Sequence, residues 1–458
     1  MIELKAPIHF IGIGGSGMSG IARICIDRGL QVSGSDMKNS TVLDALALQG
    51  ATIHIGHAPS NIADARTIVI SSAIKESNVE LKTARDAGLT VISRAQALAA
   101  LLDGYTSIAV AGTHGKTTTT SMLTIALQKL GMDPSFAIGG TPHDSRSNSH
   151  QGNGSVFIVE ADESDGSFIE YHPDYAIVTN VEIDHVDHFA DQGAIDDAFA
   201  ALISTVQLGV ILCGDDPGSA RLAQLARARG LATYLYGAGA DSDLRISHIH
   251  TSSDRSIYRA TWQGRTLGEV ELAIPGAHNV QNSGAALAMA LVLGAPAREA
   301  MSALGAFTGV GRRFELRGTA QGIRIIDDYA HHPTEIRATI ATARLAAQSG
   351  RIIVIFQPHR YSRTLAFSQE FAEALALADR VILLDIYGAG EEPIPGASSA
   401  AISRTINECG TQSDFQPNLM AAIELAIADA KAQDIILTMG AGDVTSLAPQ
   451  IVAAINER

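Results

Sequence analysis

A glycine-rich turn followed by a lysine and four threonines is the stretch of this sequence whose residue types best suit chemistry. The segment GTHGKTTTT begins at Gly112, directly after the apolar run IAVA at 108–111. Glycines let successive backbone amides point at one anion, the lysine adds a positive charge for outer phosphates, and a threonine hydroxyl can bind magnesium. The match is to a shortened phosphate loop, because the strict pattern places a glycine where Val110 stands. The turn predicts a nucleotide site formed by Gly112, Thr113, His114, Gly115, Lys116, Thr117 and Thr118.

Two acidic segments follow apolar runs that are typical of buried strands. EADESDGSF begins at Glu160 after the run at 155–159, and NVEIDHVDH, which contains His185, follows the run at 175–179. Because the carboxyl ends of parallel strands meet at one edge of a sheet, both segments are expected beside the phosphate loop. Carboxylates in that position normally hold magnesium. The alternatives are a solvated acidic loop and, for the histidine alone, an ordinary hydrogen-bonded polar residue.

A second glycine pattern, GxGxxG, lies near the N-terminus. Gly12, Gly14 and Gly17 follow a predicted strand at 7–13 and open a predicted helix, and Asp36 ends the next predicted strand. Glycines in this position let a diphosphate approach the backbone, and an acidic residue about 20 residues further on can bind a ribose hydroxyl. On these residues alone, an NAD-binding domain is favoured over another diphosphate ligand.

The last third of the chain carries polar sets after its predicted strands, namely DDYAHHPTE at 327–335, QPHRYSRT at 357–364 and GAGD at 440–443. Their convergence on one edge would form a basic pocket suited to a carboxylate ligand, built from Asp328, His331, His332, His359, Arg360 and Arg363. No GxSxG or HExxH supports a nucleophile triad or a zinc site.

A predicted helix that starts near Pro275 adds amide side chains. Asn279 and Asn282 lie one turn apart and suit a base or ribose, although helix capping explains Asn279 nearly as well. The adjacent Arg312 and Arg313 could clamp a phosphate.

Length and composition indicate how many domains carry these sites and which classes of partner are excluded. A chain of 458 residues is too long for one core, and its strand–helix alternation predicts three α/β domains at 1–104, 105–315 and 316–458, with a β excursion at about 241–273. A net charge of −15 opposes nucleic-acid binding, and no run approaches a membrane span, so a cytoplasmic protein is expected. Three distant cysteines argue against disulfides.

With these residues in place, the sequence resembles the Mur ligase family of peptidoglycan synthesis over nearly its whole length. The resemblance rests on motifs in family order: GIGGSGMSGIA, SSAI at 71–74, GTHGKTTTT, EADESDGSF, IDHVDH, HNVQN, GVGRRFE, DDYAHHPTE, FQPHRYSRT and GAGD. It implies a Rossmann-like N-terminal domain, a central phosphate-loop ATPase-like domain and a C-terminal Rossmann-like α/β domain. It also implies that the N-terminal glycines bind the UDP part of a sugar nucleotide, which replaces the NAD interpretation.

The resemblance assigns roles residue by residue. The UDP-sugar site would comprise Gly14, Gly15, Ser16, Asp36, His57, Ser71 and Ser72. ATP would be bound by the phosphate loop with Asn279, Asn282, Arg313 and Asp328, and magnesium by Thr117, Glu160 and His185. Substrate and amino acid would meet His332, His359, Arg360 and Arg363, and the catalytic set would be Lys116, Glu160, His185, His332 and Arg363.

The activity implied by the resemblance is an ATP- and magnesium-dependent ligation of L-alanine to the lactyl carboxylate of UDP-N-acetylmuramate through an acyl phosphate. The related ligase that reattaches recycled murein tripeptide is the alternative. An NAD-dependent oxidoreductase would leave GTHGKT without a role, and a kinase or mechanical ATPase would not need an amine. We expect small-molecule partners, no nucleic acid or membrane, a monomer or homodimer, and closure of the third domain about hinges near Asp103 and Glu315.

Overall fold

The computed structural model describes residues 4–71, 73–145 and 147–458. Within these residues the strands form three sheets that follow one another along the chain. Each sheet is largely parallel, with helices packed on its faces, so the predicted three-part α/β architecture is confirmed. The predicted domain limits stay predictions; the first lies between the first two sheets and the second falls at the opening residue of the third.

The N-terminal sheet is parallel throughout and has the order β3-β2-β1-β4-β5. Its strands are β1 (Ile8–Ile11), β2 (Val32–Asp36), β3 (Thr52–Ile55), β4 (Thr67–Ile70) and β5 (Thr90–Ser93). Its helices are α1 (Ser16–Asp27), α2 (Thr41–Leu48), α3 (Val79–Asp86) and α4 (Arg94–Leu102). The predicted GxGxxG turn joins β1 to α1, at the carboxyl edge where ligands of doubly wound sheets bind.

The central sheet has the order β15-β14-β13-β12-β11-β10-β6-β9-β7-β8. Its strands are β6 (Thr106–Ala111), β7 (Ser135–Ala137), β8 (Ser149–His150), β9 (Val156–Glu160), β10 (Tyr175–Val178), β11 (Gly209–Cys213), β12 (Ala232–Gly237), β13 (Leu244–Thr251), β14 (Ser256–Trp262) and β15 (Arg265–Leu272). Its helices are α5 (Lys116–Lys129), α6 (Gln192–Thr205), α7 (Pro217–Ala228), α8 (Ala277–Val292) and α9 (Ala297–Leu304). The antiparallel pairs β13–β14 and β14–β15 are the predicted β excursion.

Helix α5, which begins at the phosphate loop, is buried from Thr117 to Leu127 although it carries four consecutive threonines. Hydroxyl groups can be buried when they are hydrogen-bonded. Here Thr120 Oγ1 and Ser121 Oγ donate to the carbonyls of Lys116 and Thr117, at 2.8 and 2.7 Å. Helix α5 is therefore packed in the core, which fixes the position of the phosphate loop that precedes it.

The C-terminal sheet has the order β16-β17-β21-β18-β19-β20, and its β16–β17 pair is antiparallel. Its strands are β16 (Glu315–Ala320), β17 (Ile323–Asp328), β18 (Ile352–Phe356), β19 (Arg380–Leu383), β20 (Gln412–Phe415) and β21 (Ile435–Met439). Its helices are α10 (Pro333–Ala347), α11 (Tyr361–Ala366), α12 (Ser368–Leu375), α13 (Ser399–Glu408), α14 (Leu419–Ile427) and α15 (Leu447–Asn456). Across the described ranges, no helix is both long enough and apolar enough to cross a bilayer.

Candidate active site

The predicted phosphate loop lies between β6 and α5, and two of its glycines are required by geometry. Gly112 has φ 131°, and a Cβ there would lie 2.0 Å from Thr179 Oγ1. Gly115 has φ 81° and precedes α5, and its Cβ would lie 2.5 Å from Asn282 Oδ1. Any side chain would be strained and would clash at both positions. The close approach of Gly115 also brings α8, which carries Asn282, against the loop.

Lys116 turns back onto this loop. Its ammonium donates to the carbonyls of Gly112 and Thr113 at 2.7 and 3.1 Å, and to the two carboxylate oxygens of Glu163 at 3.0 and 2.8 Å. Burial lowers the pKa of Lys116, but the charges of Glu163 and Asp162 outweigh burial and raise the pKa to about 12. The lysine is therefore protonated at any pH at which the protein works.

The predicted magnesium ligands fall into two neighbouring groups. Thr117 Oγ1 donates to Glu160 Oε1 at 2.8 Å. His185 instead faces Glu163, with 3.7 Å between His185 Nε2 and Glu163 Oε1, and these two residues and Asp162 hold ligand atoms within 4.8 Å of one another. His185 thus packs on later acids of the EADESDGSF turn, whereas Thr117 contacts Glu160 at the start of that turn.

The side-chain atoms of these residues are suitable ligands for a divalent cation. Hydroxyl and carboxylate oxygens are the ligands that magnesium prefers. Among the described residues, the buried Nδ1 of His185 has no hydrogen-bond partner, and burial lowers the pKa of this histidine, so it is neutral and able to act as a ligand. His185 also has φ 48°, an uncommon conformation for a non-glycine residue, and such residues are enriched at functional sites.

A cavity of about 820 Å³ opens beside the loop, between the central and C-terminal sheets. Seven of the predicted ATP residues line it: His114, Gly115, Thr118, Asn279, Asn282, Arg313 and Asp328. Asn279 Nδ2 also donates to the carbonyl of Pro275 at 2.7 Å, so this amide stabilises the start of α8. The volume lies within the range of small-molecule sites. Sequence reasoning assigned no role here to Glu182, Thr334 and Glu335, which also line the cavity.

Arg312 and Arg313, the adjacent arginines of GVGRRFE, make different contacts. Arg313 lines the cavity, 3.7 Å from Glu335. Arg312 donates to the carbonyl of Gly440 at 2.6 Å and lies 3.4 Å from the buried Asp327, so it ties the segment to the third sheet. The two therefore cannot clamp one phosphate together, and only Arg313 is placed to meet a nucleotide.

His114 joins the phosphate loop to the C-terminal sheet. Its Nε2 is 3.1 Å from Glu182 and its Nδ1 is 3.3 Å from Glu335, which lies in the first turn of α10. Thr334 Oγ1 donates to the same Glu182 at 2.7 Å. Burial lowers the pKa of His114, but hydrogen bonds and charge from Glu182 and Glu335 raise it to about 9. An imidazolium held between two carboxylates thus bridges the central and C-terminal sheets.

The predicted basic pocket is largely neutralised. Arg363 Nε donates to Asp184 at 2.8 Å with both side chains buried, and Arg360 forms an ion pair with Asp187. Burial raises the pKa of Asp184, but the charge of Arg363 outweighs burial and holds that pKa far below its usual range. Both arginines of the predicted basic pocket are thus paired with acids of the central domain, which the sequence motifs do not show.

The histidines of the third sheet are neutral and differ in tautomer. Burial lowers the pKa of His331 to about 3, and that of His332 and His359 to about 4. His331 Nδ1 faces two acceptors, the carbonyl of Tyr329 at 3.0 Å and Glu335 at 3.2 Å, so it carries the proton and leaves Nε2 as an acceptor. His332 Nδ1 accepts from the amide of Thr334 at 3.3 Å, so its buried Nε2 is a donor.

The second cavity, of about 330 Å³, lies between the N-terminal and central sheets. Gly15, Ser16 and Ser71 of the predicted UDP-sugar set line it, together with Glu160 and Asp162 of the central sheet. Arg94 and Asn148, to which sequence reasoning gave no role, line it as well. The first residue of α4 thus adds a cation opposite the glycine turn, which suits a diphosphate.

Gly14, Asp36 and His57 of the predicted UDP-sugar set lie at the same sheet edge without lining this cavity. Asp36 Oδ2 accepts from the amide of Gly14 at 3.0 Å, so it fixes the glycine turn. His57 Nδ1 is 3.1 Å from the buried Glu80 and 3.0 Å from Ser35 Oγ. The remaining one, Ser72, lies outside the described residues.

Comparison with known proteins agrees with this architecture. Family models match in order along the chain: "Mur ligase family, catalytic domain" at residues 7–106, "Mur ligase middle domain" at 110–290 and "Mur ligase, glutamate ligase domain" at 312–442. The chain belongs to the Mur ligase family.

Three individual proteins resemble this chain along nearly its whole length. The UDP-N-acetylmuramate–L-alanine ligase of Acidothermus cellulolyticus is 46% identical over 460 residues, which cover 100% of this chain and 96% of the relative. The crystal structure of the UDP-N-acetylmuramate–alanine ligase MurC of Thermotoga maritima superposes with a TM-score of 0.81 at 29% identity, covering 98% of this chain and 99% of that one. A murein peptide ligase from Psychrobacter arcticus covers the same shares with a TM-score of 0.69 at 26% identity.

Proposed function

We propose that this chain joins L-alanine to the lactyl carboxylate of UDP-N-acetylmuramate, with conversion of ATP to ADP and phosphate, in the synthesis of peptidoglycan precursors. The names of full-length relatives at about half identity support this activity. One observation in the structure is the main support for this activity. The phosphate loop lies between the two cavities, since Gly115 lines the larger one while Thr117 contacts Glu160, which lines the smaller one. The outer phosphates of a nucleotide in the first cavity would therefore face a sugar acid in the second.

In the first step the lactyl carboxylate attacks the γ-phosphorus of ATP, which gives an acyl phosphate and ADP. Two anions must approach each other, so their repulsion is the main obstacle and positive groups near the transferred phosphoryl oxygens give the main assistance. Lys116 and Arg313 are the cations placed for this purpose, and Arg94 would bind the diphosphate of the sugar nucleotide. Thr117, Glu160 and His185 would hold a magnesium ion, which screens the phosphoryl charge when bound.

In the second step the amine of L-alanine attacks the acyl carbon, and the tetrahedral intermediate expels phosphate to leave an amide. The amine must lose a proton, and the group that accepts this proton has to be unprotonated beforehand. Of the histidine pair 331–332, His331 has a free acceptor at Nε2, whereas His332 can only donate. Because its pKa of about 3 makes His331 a weak base, we assign to its Nε2 a hydrogen bond from the amine and to His332 a hydrogen bond to the substrate, with His359, Arg360 and Arg363 at the same site.

The ligation also requires the third domain to close on the other two, as the sequence predicts. The contacts of His114 with Glu335 and of Asp184 with Arg363, which join the central and C-terminal domains, support this requirement. A cytoplasmic location follows from the proposed substrates, since ATP and the sugar nucleotide are made there.

The amine substrate is tested by offering two amines separately. The protein is incubated with ATP, magnesium and UDP-N-acetylmuramate, and phosphate release is measured with L-alanine, with murein tripeptide, or with no amine. Release only with L-alanine supports the proposal. Release with the tripeptide and not with L-alanine would instead support the recycling ligase, the second candidate, which the likeness to the Psychrobacter arcticus murein peptide ligase keeps open.

A further inference from the structure

Glu163 is a buried acid to which the proposed reaction gives no role. Its side chain has no exposed surface, and both of its oxygens contact the ammonium of Lys116, at 3.0 and 2.8 Å. Burying a carboxylate is unfavourable unless it is paired and hydrogen-bonded. Burial and the nearby Asp162 raise the pKa of Glu163, and Lys116 opposes that rise. The lysine is therefore the partner that makes a charged side chain tolerable at this position.

The same contact leaves Lys116 without a free donor. An ammonium group has three protons, and Lys116 already has four acceptors within 3.1 Å, namely the two oxygens of Glu163 and the carbonyls of Gly112 and Thr113. A lysine that binds outer phosphates needs at least one of those protons for the ligand. Nucleotide binding must therefore break some of these contacts, and the charge-assisted pair with Glu163 is the strongest of them.

We infer that Glu163 is a positioning residue that retains Lys116 in the ligand-free loop and competes with the outer phosphates of the nucleotide for it. Glu163 thereby lowers nucleotide affinity and keeps the loop ordered when no nucleotide is bound. The inference rests on the proposed nucleotide site but not on the identity of the sugar or of the amine.

Two other roles for Glu163 make different predictions. If Glu163 acted only by its negative charge, removing any nearby carboxylate would strengthen binding equally. If it acted only as a metal ligand beside Asp162 and His185, its loss would weaken metal-dependent binding and leave metal-free binding unchanged. Metal-free nucleotide affinity therefore separates the three roles.

The test measures binding of ATP and of AMP to the full chain by calorimetry in the presence of EDTA. Glu163→Gln keeps the shape of the side chain and removes its charge. Asp162→Asn is the matched control, because Asp162 is close enough to raise the pKa of Lys116 but has no hydrogen bond to it, and accepts instead from the amide of Ser164 at 3.1 Å. Both variants change the net charge equally.

We expect Glu163→Gln to bind ATP about tenfold more tightly than the unchanged protein, the scale of one charge-assisted hydrogen bond. Asp162→Asn should gain less than about threefold, and AMP, which lacks the outer phosphates, should bind both variants as it binds the original. Equal gains in the two variants, an equal gain for AMP, or no gain for ATP would overturn the inference. If Glu163→Gln does not fold, Glu163→Asp, whose carboxylate is one methylene shorter, is measured against the same control with the same expected direction.

Binding to the unchanged protein separates the nucleotide site from the role of Glu163. If the unchanged protein binds neither ATP with magnesium nor ATP in EDTA, the proposed nucleotide site itself is wrong. If it binds ATP but the variants behave alike, only the role of Glu163 is wrong.

Discussion

Replacing the buried Glu80 with glutamine is expected to destabilise the N-terminal sheet by about 3 kcal/mol at pH 7. Glu80 has no exposed surface, and its carboxylate accepts from Ser35 Oγ at 2.5 Å, Asn61 Nδ2 at 2.6 Å and the amide of Ala58 at 3.2 Å. Burial raises the pKa of Glu80, but the nearby His9 and hydrogen bonds from Ser35, Asn61 and Ala58 outweigh burial and lower the pKa from 4.5 to about 2. The folded structure therefore favours the ionised form of Glu80.

The pKa difference sets both the magnitude and the pH range. A fall from 4.5 in the unfolded chain to about 2 in the folded protein corresponds to about 3 kcal/mol of stability when the carboxyl group is ionised in both states. Because the folded pKa is the lower one, this stabilisation is complete above the unfolded value and is lost as the pH falls toward 2. At pH 3.5 the difference between the unchanged protein and Glu80→Gln should shrink to about 2 kcal/mol.

The assay is urea denaturation with hydrogen exchange read on residues 32–62, so that the N-terminal sheet is followed separately from the rest of the chain. Glu76→Gln is the control, because Glu76 is 74% exposed and its pair with Arg85 should contribute under about 1 kcal/mol. Since Glu80 also holds His57, Glu80→Gln should raise the KM for the UDP-sugar and leave the KM for ATP unchanged. A Glu80→Gln protein as stable as the Glu76→Gln control at pH 7, or a difference that grows on acidification, would refute the reasoning.

Three further outcomes are expected. Lys116→Ala should lower ligation by about 100-fold or more because it removes a cation from the phosphoryl group, and isothermal titration should show unchanged UDP-sugar binding; loss of that binding would count against the separate sites. Asp184→Asn leaves the buried Arg363 without its charge partner, a loss of about 3–5 kcal/mol that opening of the third domain can relieve, so scattering should give a larger radius of gyration; an unchanged radius and rate would contradict this. Chelation with EDTA should stop phosphate release and added magnesium should restore it, whereas release that persists in EDTA would exclude a magnesium requirement.

Much of the fold could be predicted because its signals are local. The run before GTHGKT is wholly apolar, as expected for a strand buried on both faces, and β6 lies there with Ile108 to Ala111 fully buried. The alternating pattern after Asp241 predicts short antiparallel strands, and β13, β14 and β15 have that arrangement. Both patterns depend on neighbouring residues only.

The candidate site was predicted less completely because its side chains are paired across long sequence separations. Arg363 and Asp184 are 179 residues apart, and nothing in either motif shows that the two meet. The choice between Arg312 and Arg313 likewise depends on where Gly440 lies, 128 residues away from Arg312. Motif spacing identifies residue types for a site, whereas their pairing depends on how the domains dock.

Arg94 could not be predicted from the sequence for a different reason. It begins α4 as an unremarkable helix residue in the sequence, and its role follows only from the cavity that it lines beside the glycine turn. A single cation without a surrounding motif carries no sequence signal.

The central claim is that the sugar carboxylate is activated by direct transfer of the γ-phosphoryl group of ATP before the amine attacks. UDP-N-acetylmuramate labelled with oxygen-18 in its lactyl carboxylate tests this claim most directly, with the released phosphate analysed by mass spectrometry. Because the carboxylate oxygen that attacks phosphorus leaves with it when the amide forms, we predict one labelled oxygen in the phosphate for each amide made. Unlabelled phosphate accompanied by amide formation would contradict the account.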